Sequence, residues 1–360
     1  MMRITALVRS LIAVALACAI VTFGLLALGA SPTIVFTALA EGAFGNWLAC
    51  TDTLVKATPL LFCGLSIALA FEASLWNIGA DGQLIAGAMA AGACGPWLSR
   101  WPHPLAVLAI LGVGTLSGAL WGGIAGWLRA RRDVSEVIST IMLNFTAAQL
   151  LSWAVHGPLM EPTHAFPKSA PIASSAELQL YFAPSRLNLG MLLGAILAVG
   201  CYYFLFYTQT GFELRAMGRN ARAAHYFGIK TRRLTIITMG LSGALAGIGG
   251  AVHIAAITHR LYETLSPGWG YEAIAVALVA RLNPLAIVPA AVLFGALDNG
   301  AQAMQRSAGV SPVLVHVIQA FVIILMLTFD SLASRHRVMS GGGTPTTKGA
   351  APTAMDLVDA

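Results

Sequence analysis

Few residues in this chain could hold a polar solute, and several of them cluster. Residues 72–83, EASLWNIGADGQ, separate two apolar runs and carry Asn77, Asp81 and Gln83 among Gly79 and Gly82. Amide side chains both donate and accept hydrogen bonds, so Asn77 and Gln83 suit a hydroxyl or the edge of a nitrogenous base. Glycine permits backbone turns that other residues resist, and Pro96 ends the short apolar run that follows. A helix broken at membrane depth is tolerated only where it is buried in protein or faces a water-filled cavity. Its freed backbone groups then become ligands for polar solutes. Trp76, Asn77, Gly79, Asp81 and Gln83, with Asn144 and Glu272 from other apolar runs, are therefore expected to line a solute pathway. The competing reading is a cytoplasmic turn with Asp81 and Gln83 in solvent.

Other reactive residue types form no recognisable catalytic pattern. His103, His156 and His164, with Glu161 close to His164, have no H-E-x-x-H spacing. The five cysteines (Cys18, Cys50, Cys63, Cys94, Cys201) are scattered and contain no CxxC pair, so neither a zinc site nor a disulfide framework is implied. His253, His316 and Asp298 are isolated ionisable groups in apolar runs. They are what an ion-coupled transporter would use, and that is the alternative function class. No G-x-x-x-x-G-K-[ST] occurs, so the expectation is a chain that is not an enzyme and needs no cofactor.

The elements that must position these residues are apolar helices. Of 360 residues, 57% are hydrophobic and only 10% charged, against about a quarter charged in soluble domains. The fold expected is all-α, a polytopic membrane bundle. Its runs fall at about 11–30, 54–71, 84–98, 105–128, 137–155, 187–207, 234–257, 272–280, 285–303 and 312–329. The stretch 31–53 reads as an interfacial segment, and 157–186, with five prolines, as an irregular outer loop. Glycines recur every four residues at Gly114, Gly118, Gly122 and Gly126, and again at Gly243 and Gly247, a spacing that lets helices approach closely. The 272–280 run is too short to span, so 272–303, broken at 281–284, reads as a re-entrant or discontinuous hairpin of two half-length elements.

This gives about ten crossings, or eight plus the hairpin, with both termini cytoplasmic. Fifteen of the 21 Lys and Arg then fall inside, as cytoplasmic loops require. The net charge of +6 is thus explained by topology rather than by nucleic-acid binding. The transmembrane domain is 1–331, and 332–360, rich in Gly, Thr, Ala and Pro, is expected to be a disordered cytoplasmic tail.

Residues 208–233 form the longest basic loop, with six Lys or Arg against Glu213. Within it Asn220 is a good N-cap, 221–227 makes about two turns, and Gly228 can close the helix in the left-handed conformation. Ala223 and Ala224 give that helix a flat face. So short a helix needs a surface to lie on.

Ala223-Ala224-His225-Tyr226-Phe227-Gly228 resembles the coupling helix of bacterial ABC-importer permeases, with Arg222 where that motif usually has Glu. Residues 75–83 (LWNIGADGQ), 211–250 and 267–299 resemble the same superfamily, which serves ribose, galactosides, nucleosides and branched-chain amino acids. The sequence is most similar to its nucleoside and simple-sugar permeases. The resemblance implies an ATPase-coupling set of Gly218, Arg219, Asn220, Arg222, Ala223, Ala224, Tyr226 and Gly228. It also implies a cytoplasmic ABC ATPase that binds the ATP, a second permease subunit completing a heterodimer, an extracytoplasmic substrate-binding protein, and a place in the bacterial inner membrane.

Overall fold

The computed structural model describes residues 31–178 and 185–309, with Thr22, Leu26, Val313 and Val317 as isolated positions. The expected first span at 11–30, last span at 312–329 and tail at 332–360 lie outside the described residues. The unit Ala30–Val315 is helical throughout its core.

Its helices, in chain order, are α1 Pro32–Phe44, α2 Trp47–Glu72, α3 Ala80–Cys94, α4 His103–Arg132, α5 Glu136–His156 and α6 Leu189–Tyr207. There follow α7 Gln209–Arg219, α8 Ala221–Tyr226, α9 Thr231–His253, α10 Trp269–Val279 and α11 Pro284–Ala308. A π-helical turn, Ile254–Thr258, prolongs α9. Six stretches among the described residues are long and apolar enough to cross a membrane: Trp47–Glu72, His103–Arg132, Glu136–His156, Leu189–Tyr207, Thr231–Thr258 and Pro284–Ser307. At 15 and 11 residues, α3 and α10 are shorter.

Three features differ from the sequence expectation. The interfacial segment 31–53 is α1 plus the first turns of α2, whose start is fixed by Asn46 accepting the Ala49 N–H at 2.7 Å. The second element of the 272–303 hairpin is not half-length. Asn283 caps it and Pro284 opens it, and α11 runs 25 residues. The basic loop holds two helices rather than one, because Thr208 caps α7 by accepting the Gly211 N–H at 3.1 Å.

The glycine runs do what their spacing predicts. A methyl at Gly118 would run into the Gly243 carbonyl, and one at Gly243 into the Gly118 carbonyl. Gly114 lies against Ala251, Gly122 against the Met239 carbonyl, and Gly87 of α3 against Gly247. The backbones of α3, α4 and α9 therefore touch along a seam where dispersion, not hydrophobic exclusion, holds helices together. α2 packs behind them and is buried along most of its length.

The loop after α5 is irregular over much of its described length, as expected. It carries a short 3-10 turn, Ser174–Ala176, and two isolated bridges, Met160 with Ser169 and Lys168 with Tyr262. Glu161 anchors it, pairing with Arg260 at 3.0 Å and Lys168 at 3.4 Å.

Candidate functional site

The break between α2 and α3 is built from hydrogen bonds. Ser74 takes a left-handed conformation, φ 55°, as α2 ends. The Leu75 N–H returns to the Ala70 carbonyl at 3.1 Å, which closes the last turn. The chain then dives inward. Asn77 is fully buried. Its amide nitrogen donates to Gln83 Oε1 at 3.0 Å and to Ser242 Oγ at 2.7 Å. Its oxygen accepts from Gln83 Nε2 at 3.1 Å and from the Gly79 N–H at 2.9 Å. Every polar atom of the Asn77 amide is thus used.

Neighbouring groups extend this layer. Asn144 accepts the Gly82 N–H at 2.8 Å and donates to the Ile78 carbonyl and to Tyr271 Oη, at 2.9 and 3.0 Å. Asp81 Oδ1 accepts from Ser266 Oγ at 2.7 Å and from the Gly270 N–H at 2.9 Å. Ser266 in turn takes the Gly268 and Trp269 N–H groups at the start of α10. Ser242 donates to the Ser66 carbonyl at 2.6 Å. One polar layer therefore pins α2, α3, α5, α9 and the entry of α10 to the broken segment. Buried polar groups have to be paired in this way, because an orphan forfeits its hydration.

The expected pathway residues divide accordingly. Asn77, Asp81, Gln83 and Asn144 come together, buried and bonded to one another or to backbone. The solvated-turn reading fails for Asp81 and Gln83, which are 7% and 1% exposed. Gly79 packs against Thr140. Trp76 points away, 55% exposed, and packs against Phe71 with ring centroids 4.9 Å apart. Glu272 is half-buried in the first turn of α10. Ser66, Ser242, Ser266 and Tyr271 were missed. Ser242 looks like one more small residue in a glycine-rich helix, and only its partners give it a role.

In the basic loop, Asn220 caps α8 by accepting the Ala223 N–H at 3.0 Å, and Gly228 closes it with φ 85°. The flat alanine face, however, does not point outward. Ala224 is 4% exposed and sits in a cluster with Leu69, Leu75, Leu214, Met217 and Leu234. Arg219, Asn220, Arg222, Tyr226 and Gly228 of the expected coupling set are exposed, as is the neighbouring Phe227, with Tyr226 and Phe227 at 90% and 88%. Apolar exclusion turns the small face inward, and the bulky rings are left proud. Gly218 lies against the Glu72 carbonyl, and Ser74 Oγ donates to the Gly218 carbonyl at 2.6 Å. The loop and the break are thus directly joined.

The isolated ionisable groups have local contacts, although the buried His253 Nδ1 makes no hydrogen bond. His253 packs edge-on to Trp269, and Asp298 pairs with Lys56 at 3.1 Å. His103 Nδ1 lies 2.9 Å from the Ser175 carbonyl. His316 lies outside the described residues. Among the described residues no three His, Cys, Asp or Glu converge as metal ligands would.

A broken, polar-pinned segment is thus tied directly to a capped loop helix. The family model described as branched-chain amino acid transport system / permease component matches residues 49–327. The chain belongs to this permease family. A guanosine ABC transporter permease protein of Bacillus subtilis is 33% identical over 330 residues, 90% of this chain and 94% of that protein. A glucose ABC transporter permease protein of Haloferax volcanii is 32% identical over 327 residues, 87% of this chain and 85% of its own length. A nucleoside ABC transporter permease protein of Lactococcus lactis is 32% identical over 322 residues, 84% of this chain and 85% of its own. No solved structure matches. This permease is the membrane-embedded subunit of an ABC transporter.

Proposed function

We propose that this permease imports a nucleoside or a simple sugar across a bacterial inner membrane, using ATP hydrolysed by a partner. The observation that carries the reading is near full-length similarity to permeases named for guanosine, nucleosides and glucose. The polar layer is consistent with it. Asn77, Gln83, Asp81 and Asn144 form the rigid frame of the pathway wall, and Trp76 and Glu272 are its accessible part. Aromatic faces and carboxylates suit sugar rings and hydroxyls.

The remaining machine follows from the same reading. α7 and α8 form the coupling loop at 208–233, and the exposed Arg219, Arg222, Tyr226 and Phe227 meet a cytoplasmic ABC ATPase. A second permease subunit completes the pore as a heterodimer, and an extracytoplasmic binding protein delivers the solute. With the 11–30 and 312–329 runs, and α3 and α10 counted as short crossings, the chain crosses about ten times with both termini inside. The transmembrane domain then extends over 1–331, with 332–360 a tail.

Uptake of labelled guanosine, adenosine, ribose and glucose by cells lacking other importers tests the reading. Accumulation should require the ATPase and survive collapse of the proton gradient. Uptake driven by the proton gradient alone would favour the ion-coupled alternative.

A further inference from the structure

α9 opens with Lys230, Thr231, Arg232 and Arg233, no acid in its first turn and no side-chain cap. Cations at a helix N-terminus oppose the helix dipole, and the first N–H groups there lack intrahelical partners. Arg131, from the end of α4, adds to them. These four cations and His225 line one cavity of about 860 Å³ whose wall also includes Ile236. Arg131, Lys230, Arg232 and Arg233 are exposed, and none forms an ion pair among the described residues. Repelling charges and an uncapped helix start both call for an anion.

The same helix face leads from this cavity to a groove. Lys230, Arg233, Ile237, Leu241, Ala244 and Ile248 follow three- and four-residue steps, so they stack on one side of α9. Ile237 and Leu241 are exposed at 36% and 40%. Farther along, Leu241, Ala244, Leu245 and Ile248 face Leu197, Gly200, Cys201 and Phe204 of α6 across a crevice of about 250 Å³, with Thr115 and Leu69 as its remaining lining. A Cβ at Gly200 would meet nothing within 4 Å. Arg233 to Ile248 is about 22 Å of helix. That reaches from a headgroup through one leaflet, about half of the ≈30 Å hydrocarbon core.

We propose that this face of α9 is a binding site for an anionic phospholipid, its phosphate among Arg131, Lys230 and Arg233 and an acyl chain in the α6–α9 groove. A basic loop facing the cytoplasm accounts for cations at this level, but not for an apolar crevice farther along the same helix. A water-borne ATPase could meet the cations, yet it has no means of filling an apolar crevice along a membrane helix. Basic pockets between membrane helices hold acidic headgroups, each nearby Lys or Arg strengthening the attraction about fivefold.

The test uses the full-length chain purified in detergent, offered equal amounts of phosphatidylglycerol and phosphatidylcholine and read by native mass spectrometry. Phosphatidylglycerol should be retained in preference. Combining Arg131→Gln, Lys230→Gln and Arg233→Gln should weaken its retention on the order of 100-fold. Gly200→Phe, which fills the groove, should reduce retention while leaving thermal unfolding unchanged. Equal retention of both lipids overturns the proposal, as does a Gly200→Phe variant that binds phosphatidylglycerol like the parent. So does protection of Lys230 from acylation by inorganic phosphate as effective as that by lipid, which would mark a free-phosphate site. A triple variant that keeps its lipid but no longer co-purifies with the ATPase would assign the cations to protein docking and likewise overturn it.

Discussion

Asn77→Ala should damage this permease far more than Gln83→Ala, and the hydrogen bonds say why. Removing the Asn77 amide orphans both polar atoms of Gln83 and the buried Gly79 N–H, and takes one partner from Ser242. An orphaned buried polar group costs about 1–3 kcal/mol, so three of them amount to roughly 3–6 kcal/mol with partial relaxation. Removing Gln83 leaves Asn77 bonded to Gly79 and Ser242, so that loss should stay near 1–2 kcal/mol. Polar pairs between membrane helices average only about 0.6 kcal/mol because unfolded helices find other partners. A double-mutant cycle on this pair should exceed that value, since Asn77 is sealed from solvent and lipid alike. The assay is thermal unfolding in detergent alongside uptake in proteoliposomes. Equal unfolding temperatures for Asn77→Ala and the parent, with uptake abolished, would refute the structural argument and make Asn77 a direct solute ligand.

Ala224→Asp places a charge in the apolar cluster beneath α8 and should lower the amount of folded protein. Phe227→Ala should keep the fold and lose ATPase co-purification; normal co-purification would remove α8 from the docking surface. Gly243→Ala forces α9 off α4 and should cost about 1–3 kcal/mol, whereas Gly112→Ala, which meets nothing within 4 Å, should gain up to about 1 kcal/mol from helix propensity; equal melting temperatures would dissolve the seam argument. Glu161 is pushed up by burial, but the Thr163 hydroxyl, Lys168 and Arg260 outweigh this and hold it below the ordinary carboxylate range. Its contribution is therefore present above the unfolded pKa and lost as pH falls through the lower folded value. Protection factors for amide exchange in 157–170, corrected for the intrinsic pH dependence of exchange, should fall on acidification in the parent and stay constant over that range in Glu161→Gln. Cysteines placed at Ser175 and Arg219 should label from opposite sides of intact cells.

Local signals were the legible ones. The Asn220 cap and the Gly228 stop are written within nine residues, and the helix they enclose forms as read. Glycines four apart state their own packing, since only backbone is left on that face. Composition marked 72–83 as a break, but nothing near Asn77 reveals that Ser242, 165 residues on, would be its partner. The burial of Ala224 is illegible for the same reason. Which face of a two-turn helix turns inward depends on Leu214, Met217 and Leu234, whose arrival is a tertiary event. α7 escaped notice because Leu214 and Met217 are its apolar stripe amid charged neighbours that look like loop. The apolar run read at 285–303 goes on as helix to Ala308, and the polar Gln305 and Arg306 hide that last turn.

The glycine seam has a mechanical consequence. Carbonyls of α4 and α9 sit in the notches left by each other's glycines, so sliding one helix along the other requires lifting it clear first. That interlock resists shear, and with α3 held in the same way through Gly87 the three helices have to travel as one stiff block. Alternating exposure of a solute site then falls to rocking between such blocks, a known mode for membrane carriers. Any hinge must lie where helices meet by side chains alone, and a lever is already attached to this block: the Ser74–Gly218 contact joins the basic loop to its broken edge.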